Sequence, residues 1–228
     1  MSKPQQPDVT IEASDFIQEA DRNVDPTLDE GRVPVLEADG KLDGAFLRTP
    51  PPQVVAFTSS GTWTKNDGLK YVIIEGVGGG RTGGTGSNQG NGGGGGGAGG
   101  YFRKLILASA LGATETITVG AMGAATSFGS HATGNGAGAL HSNDFGGPGG
   151  TATGGDINMT GSPGLSFVGQ EKGGNGGASY FGGGGKGASF NSVNLTGGVT
   201  NSGSGGGGGG DSLGGAGASG IVIVTEYY

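Results

Sequence analysis

Apolar residues in this chain come in a few short runs separated by long polar or glycine-rich stretches. The run Gln53-Val54-Val55-Ala56-Phe57-Thr58 is β-branched and aromatic, and it predicts a strand. Ser59-Ser60-Gly61 is a turn, and Thr62-Trp63-Thr64 a second short strand. Asn66-Asp67-Gly68 is another turn, leading into Leu69 to Val77, the strongest strand of the chain. Tyr101 to Leu107 and Glu115 to Val119 predict two more, and Gly220 to Tyr227 a last one. In that last run Ile221, Ile223 and Thr225 alternate with Val222, Val224 and Glu226, so both faces are largely apolar, which suits a central position in a sheet. Together the runs imply a small sheet or sandwich of five or six strands, with Trp63, the one tryptophan, in its core.

The polar remainder falls into two zones. Residues 1–50 are acidic, and carry an attachment or oligomerisation segment rather than a domain with its own core. A helical turn or two over Asp15 to Ala20 stops at Asp25-Pro26, because the residue before proline is driven out of the α region. Phe16, Ile17, Val35, Leu36, Leu42, Phe46 and Leu47 are its scattered apolar anchors, too few to fold alone and therefore candidates for docking on a partner. Pro50-Pro51-Pro52 is a stiff spacer, and residues 51–228 form the second domain.

From Gly76 onward the chain holds 54 of its 59 glycines. Three readings of the glycine runs compete. A phosphate-cradling loop needs one glycine turn between a strand and a helix, and no helix follows any run here. A flexible linker joins two structured ends, whereas the final strand must return to the sheet begun at 53–77, so the glycine stretches are excursions that start and end at one place. The third reading is a bundle of polyproline-II-like strands. Such strands make no internal hydrogen bonds, so their N–H and C=O groups point outward, and glycine lets neighbours approach closely enough to bond. Main chain then replaces an apolar interior, which fits a chain only 32% hydrophobic. The expected fold is mainly β and irregular: a small sheet or sandwich extended by packed polyglycine-II-like strands, after an extended N-terminal segment.

Charge and composition remove several function classes. Residues 1–75 hold 13 of the 19 acids and 7 of the 12 bases, and the rest is nearly neutral, so nothing basic gathers for nucleic acid. There are no cysteines, hence no disulfide framework and no thiolate metal site. The N-terminal stretch has no apolar h-region, so synthesis in a cytoplasm is expected. No nucleophile elbow or carboxylate pair is visible, and neither enzyme activity nor a cofactor is expected. Asp21 to Asp25 opens like an EF-hand loop, but Pro26 and Arg32 stand where the glycine and the bidentate glutamate belong. His131 and His141 have no other ligand spacing around them, and no metal is expected.

The residues between glycine runs are the better candidates. Aromatics beside Asn, Asp and His can stack on sugars and bond to hydroxyls or to protein loops. On that ground His131, His141, Phe145, Tyr180, Phe181, Phe190 and Asn194 are candidates for contact with an external surface, with Phe145, Tyr180 and Phe190 the ones expected outside. Phe128, Phe167 and Phe181 are equally suited to closing small cores between glycine layers.

Three anchors, in order, resemble a known family. Val33-Pro34-Val35-Leu36-Glu37-Ala38-Asp39-Gly40-Lys41-Leu42-Asp43-Gly44-Ala45-Phe46-Leu47 is similar to a segment that precedes the distal domain of bacteriophage tail fibres. Phe57 to Lys65 followed by Tyr71 to Glu75 resembles the opening of the glycine-rich tail-fibre domain, and Gly220 to Tyr228 its closing strand. The resemblance covers about residues 33–228. It implies a tail component of a virion, docked through its N-terminal part to the baseplate or to a longer fibre protein. It implies a glycine-rich part that meets a host surface glycan or outer-membrane protein through its loops, usually as a homotrimer. A purely structural baseplate or collar component, or less plausibly a glycine-bundle ice-binding protein, is the alternative that composition leaves open.

Overall fold

The computed structural model describes residues 50–87, 91–140, 144–167, 172–189 and 195–228. Ten strands order themselves into two antiparallel sheets: β1 (Gln53–Phe57), β2 (Gly61–Thr64), β3 (Tyr71–Val77), β4 (Tyr101–Leu107), β5 (Thr114–Thr118), β6 (Thr126–Phe128), β7 (Ala132–Gly134), β8 (Ala152–Thr153), β9 (Ile157–Met159) and β10 (Ile221–Tyr227). One sheet has the order β1-β10-β3-β4-β9 and the other β2-β5-β6-β7-β8. Among the described residues the sole helical element is a 3₁₀ turn at Ala108–Ala110.

The alternation of the strands fixes which face is inside. Val72 and Ile74 of β3, Phe102 and Ile106 of β4 and Val222 and Val224 of β10 all point one way and are buried. They meet Trp63, Ile117 and Phe128 of the second sheet in a single core. The last strand is central, with β1 on one side and β3 on the other, as its two apolar faces suggest. Trp63 is 2% exposed, in the core as expected. Phe128 joins this same core rather than a satellite one. Gly68 closes the turn before β3 at φ 77°, a left-handed geometry that glycine adopts without steric cost.

The glycine zone leaves this sandwich and returns to it as ten extended segments among the described residues: 78–87, 91–100, 134–140, 145–151, 160–167, 172–180, 182–189, 195–199, 203–210 and 212–220. Successive segments run in opposite directions. Segment 91–100 receives bonds from Arg81 and Gly84 onto Gly97 and Gly94, while its own Gly93, Gly96 and Gly99 donate to Gly209, Gly206 and Gly203. Its Gly95 and Ala98 donate to Leu165 and Ser162 and accept from Gly147 and Gly150, and Gly174 and Gly177 donate to Gly93 and Gly96. Gly100 bonds to Asn135. The segment is therefore ringed by six neighbours, and five of them return every third residue, the period of a polyproline II helix.

Segment 203–210 is ringed in the same way by 78–87, 91–100, 172–180, 182–189, 195–199 and 212–220. Residues 92–100 and 202–210 are all buried, and Ala98, Ser202 and Ser204 are the only members of these two stretches with a side chain. A Cβ on Gly96 would collide with the carbonyl of Arg81, and one on Gly208 with the carbonyl of Gly93. Glycine is thus required for close approach, and hydrogen-bonded main chain takes the place of packed side chains. The entropy lost in ordering so much glycine is offset by bonds made in every direction rather than in one plane.

Candidate functional site

Following the register of the bonds shows that the bundle has two dissimilar ends. At the sheet end, segments 78–87 and 134–140 leave β3 and β7, while 91–100 and 212–220 enter β4 and β10. The turns Ser179 to Gly182 and Val199 to Ser202 also reverse there. At the far end, Gly86 bonds to Ser212, Ser87 to Asn91, Phe167 to Asp144, and Lys172 bridges Ser189. The described segment ends at residues 87, 91, 140, 144, 167, 172, 189 and 195 lie at that far end, together with the turn at Asp211 and Ser212.

Three large apolar side chains stand out from the far end: Phe145 at 60% exposure, Leu165 at 56% and Leu213 at 76%. Beside Leu165 lies a groove of about 310 Å³ whose walls include Ser166, Lys172, Asn175, Lys186 and Ser189. Its floor is glycine main chain at 173–174 and 187. Two lysines over a glycine floor, next to the exposed Leu165, suit a ligand with acceptors or negative charge on one side and an apolar face on the other.

The proposed contact residues do not all share this end. Phe145 does. Tyr180 is 57% exposed but belongs to the sheet end, where its ring stacks on Tyr101 at 3.9 Å and 21°. Phe181 is half-buried and edge-on to both, 5.8 Å from Tyr101 and 5.3 Å from Tyr180. At 3.1 Å per residue, the length of segment 172–180 separates Tyr180 from the far end by roughly 25 Å. The Tyr101 hydroxyl donates to Glu75 at 2.5 Å. Burial, then that bond to a carboxylate, pushes its pKa well above the ordinary tyrosine value.

His131 sits between β6 and β7, also at the sheet end, with Nε2 3.3 Å from Glu115 Oε1. Its ring lies 6.0 Å from Phe128, and it serves the local packing of the second sheet. Among the described residues no three histidine, aspartate or glutamate side chains converge as a metal site would require. His141, Phe190 and Asn194 lie outside the described residues, as do all the docking candidates: Phe16, Ile17, Val35, Leu36, Leu42, Phe46 and Leu47.

Sequence reasoning passed over Lys172, Lys186 and Leu213. The two lysines are far apart in sequence and count as isolated charges there; the antiparallel pairing of Lys172 with Ser189, Gly173 with Ala188 and Gly176 with Gly185 brings their segments side by side. The usable signal was positional, since each lysine flanks a glycine run.

No family model matches the chain, and no curated protein matches it.

Proposed function

We propose that this chain is the host-contacting part of a bacteriophage tail fibre, with the far-end tips of the glycine bundle as the contact surface. The observation that supports the reading is the division of the second domain into two ends. One end is a side-chain-packed sandwich into which the chain enters at Pro50. The other carries the exposed side chains of Phe145, Leu165 and Leu213, and Leu165 lines a lysine-flanked groove. A bundle whose far end stands clear of the packed sandwich is suited to recognition, because connecting segments on a fixed scaffold commonly carry binding. Residues 1–50 are assigned to attachment on the tail, as the resemblance implies. The partner chemistry at the tips is a surface glycan or an outer-membrane protein loop, which aromatic, lysine and asparagine side chains can engage together.

Replacing Phe145, Leu165 and Leu213 together by serine tests this. Adsorption of particles, or of the isolated protein, to susceptible cells is expected to fall at least tenfold, with the thermal unfolding of the chain unchanged. Undiminished binding by the folded triple variant overturns the assignment and favours a purely structural place in the virion.

A further inference from the structure

Segments 172–180 and 182–189 pair antiparallel, with Lys172 opposite Ser189, Gly173 bonded to Ala188 and Gly176 to Gly185. That register sets Asn175 opposite Lys186. A polyproline II strand turns once in three residues, so Lys172 and Asn175 share a face of their segment, and Lys186 and Ser189 share a face of theirs. All four line the groove at the far end. The two lysines therefore stand at diagonal corners, one turn or about 9 Å apart along the strand axis, with Asn175 and Ser189 at the other two.

The side chains around this rectangle are left to donate. Asn175 Oδ1 already accepts from the Gly187 N–H at 2.9 Å, so its amide NH2 is the group that remains. Ser166, on the neighbouring segment, accepts from the Gly146 N–H at 3.2 Å and keeps its own O–H. Both lysines are exposed, and neither ammonium has a hydrogen bond or ion pair among the described residues. No acidic side chain among the described residues lines the groove. In a chain of net charge −7, two cations without a counter-charge make a local site for an anion. The main chain under Lys186 is tied down, since its N–H donates to Thr196 Oγ1 at 2.7 Å and its carbonyl accepts from the Thr196 N–H.

We propose that this groove binds a saccharide bearing phosphate. The phosphate lies between the Lys172 and Lys186 ammonium groups, Asn175 and Ser166 donate to the sugar oxygens, and the C–H edge of the ring rests on Leu165. Lysine, a point charge, suits a tetrahedral phosphate, whereas a planar carboxylate is met best by an arginine fork, and no arginine lines the groove. A volume of about 310 Å³ is at the small end of ligand sites, the scale of a sugar unit rather than of a protein loop. The proposal names the ligand class for the tips assigned above to host contact, and its place at a cell surface rests on that reading.

NMR titration of the full chain with glucose 6-phosphate tests it. Shifts are expected at the amides of residues 172–175 and 186–189, saturating in the millimolar range, and none with glucose. Inorganic phosphate and glucuronate are each expected to bind more weakly. Lys172→Gln and Lys186→Gln should each weaken glucose 6-phosphate binding about tenfold, the loss of one charge-assisted contact, with thermal unfolding unchanged. The proposal is overturned if the parent chain shows no shifts in this region or if the lysine variants bind as the parent does. It is equally overturned if inorganic phosphate binds as tightly as the sugar phosphate, which marks a bare anion site, or if glucuronate does, which marks a carboxylate site. Cell adsorption separates this from the host-contact reading. A double lysine variant that loses glucose 6-phosphate yet adsorbs fully keeps the groove as a phosphosugar site and removes its role on the host. A parent chain that ignores glucose 6-phosphate, while adsorption still depends on Phe145 and Leu213, does the reverse.

Discussion

The indole Nε1 of Trp63 donates to Oε1 of Glu226 at 2.7 Å, joining the first strand of one sheet to the last strand of the other inside the core. Glu226 is 2% exposed, and its second oxygen accepts from Tyr228 at 2.6 Å and from Asn66 at 3.3 Å. A buried carboxylate is tolerated because donors meet both of its oxygens. Glu226→Ala leaves a buried N–H without a partner and a void beside it, and should cost about 2–4 kcal/mol in urea unfolding. Glu226→Gln keeps the shape and an acceptor for the indole, and should cost about 1 kcal/mol. Equal losses for the two would show that the bond to Trp63 contributes nothing.

Bundle glycines should divide sharply by neighbourhood. Gly96 is enclosed by carbonyls and bonds to both Gly206 and Gly177. Gly96→Ala forces its neighbours apart and should cost more than about 3 kcal/mol, or prevent folding. Gly183 has nothing within 4 Å of where a Cβ would stand, so Gly183→Ala should stay within about 1 kcal/mol of the parent. Comparable tolerance at both positions would contradict the packing described.

Amide exchange should be slow along the two enclosed segments. Gly93, Gly96 and Gly99 each bond to a carbonyl of segment 203–210 and are shielded by the surrounding ring. Their protection, read by mass spectrometry or by NMR, is expected to match that of the core strands β3 and β10. Free exchange over 92–100 would mean that glycine entropy prevails over the bonds.

Alkaline pH should loosen the sandwich. The Tyr101 hydroxyl is held in its neutral form, chiefly by burial and then by its bond to Glu75. That of Tyr228 is raised chiefly by its bond to Glu226. Both groups titrate higher folded than unfolded, so the stabilisation is complete below the ordinary tyrosine value of about 10. It is lost as pH climbs from there toward the folded values, because only the unfolded chain readily gives up the proton. The melting temperature should be flat through neutrality and fall above about pH 10. Tyr101→Phe should flatten part of that fall, whereas an unaltered fall in this variant would remove Tyr101 as a contributor.

How far this architecture could be read beforehand depends on where side chains carry the information. The runs 53–57, 71–77, 101–107 and 221–227 are written in valine, isoleucine and aromatics, and they lie close to where they were expected. The second sheet was half hidden. Its strands β6, β7 and β8 are short and built of threonine, serine, alanine and glycine around Phe128, and nothing in them alternates strongly enough to stand out from the glycine zone. The split of the strongly patterned runs between two sheets was not legible either, since β2 and β5 pair with each other rather than with β1 and β3. For the contact residues, exposure was legible at Phe145 and Tyr180, but the end of the bundle each occupies was not. That depends on counting strand reversals: Phe145 begins a segment that runs toward the sandwich, whereas Tyr180, two reversals later, ends one.

The glycine stretches 92–97 and 205–209 are closed in by other backbone, with no side chain at the points of closest approach. A scaffold of that kind keeps no memory of the side chains at its tips: a connection can be rewritten, lengthened or exchanged without disturbing a single interior contact. Natural variation is then free to accumulate where the molecule meets its surroundings, while the hexagonal lattice beneath accepts almost none.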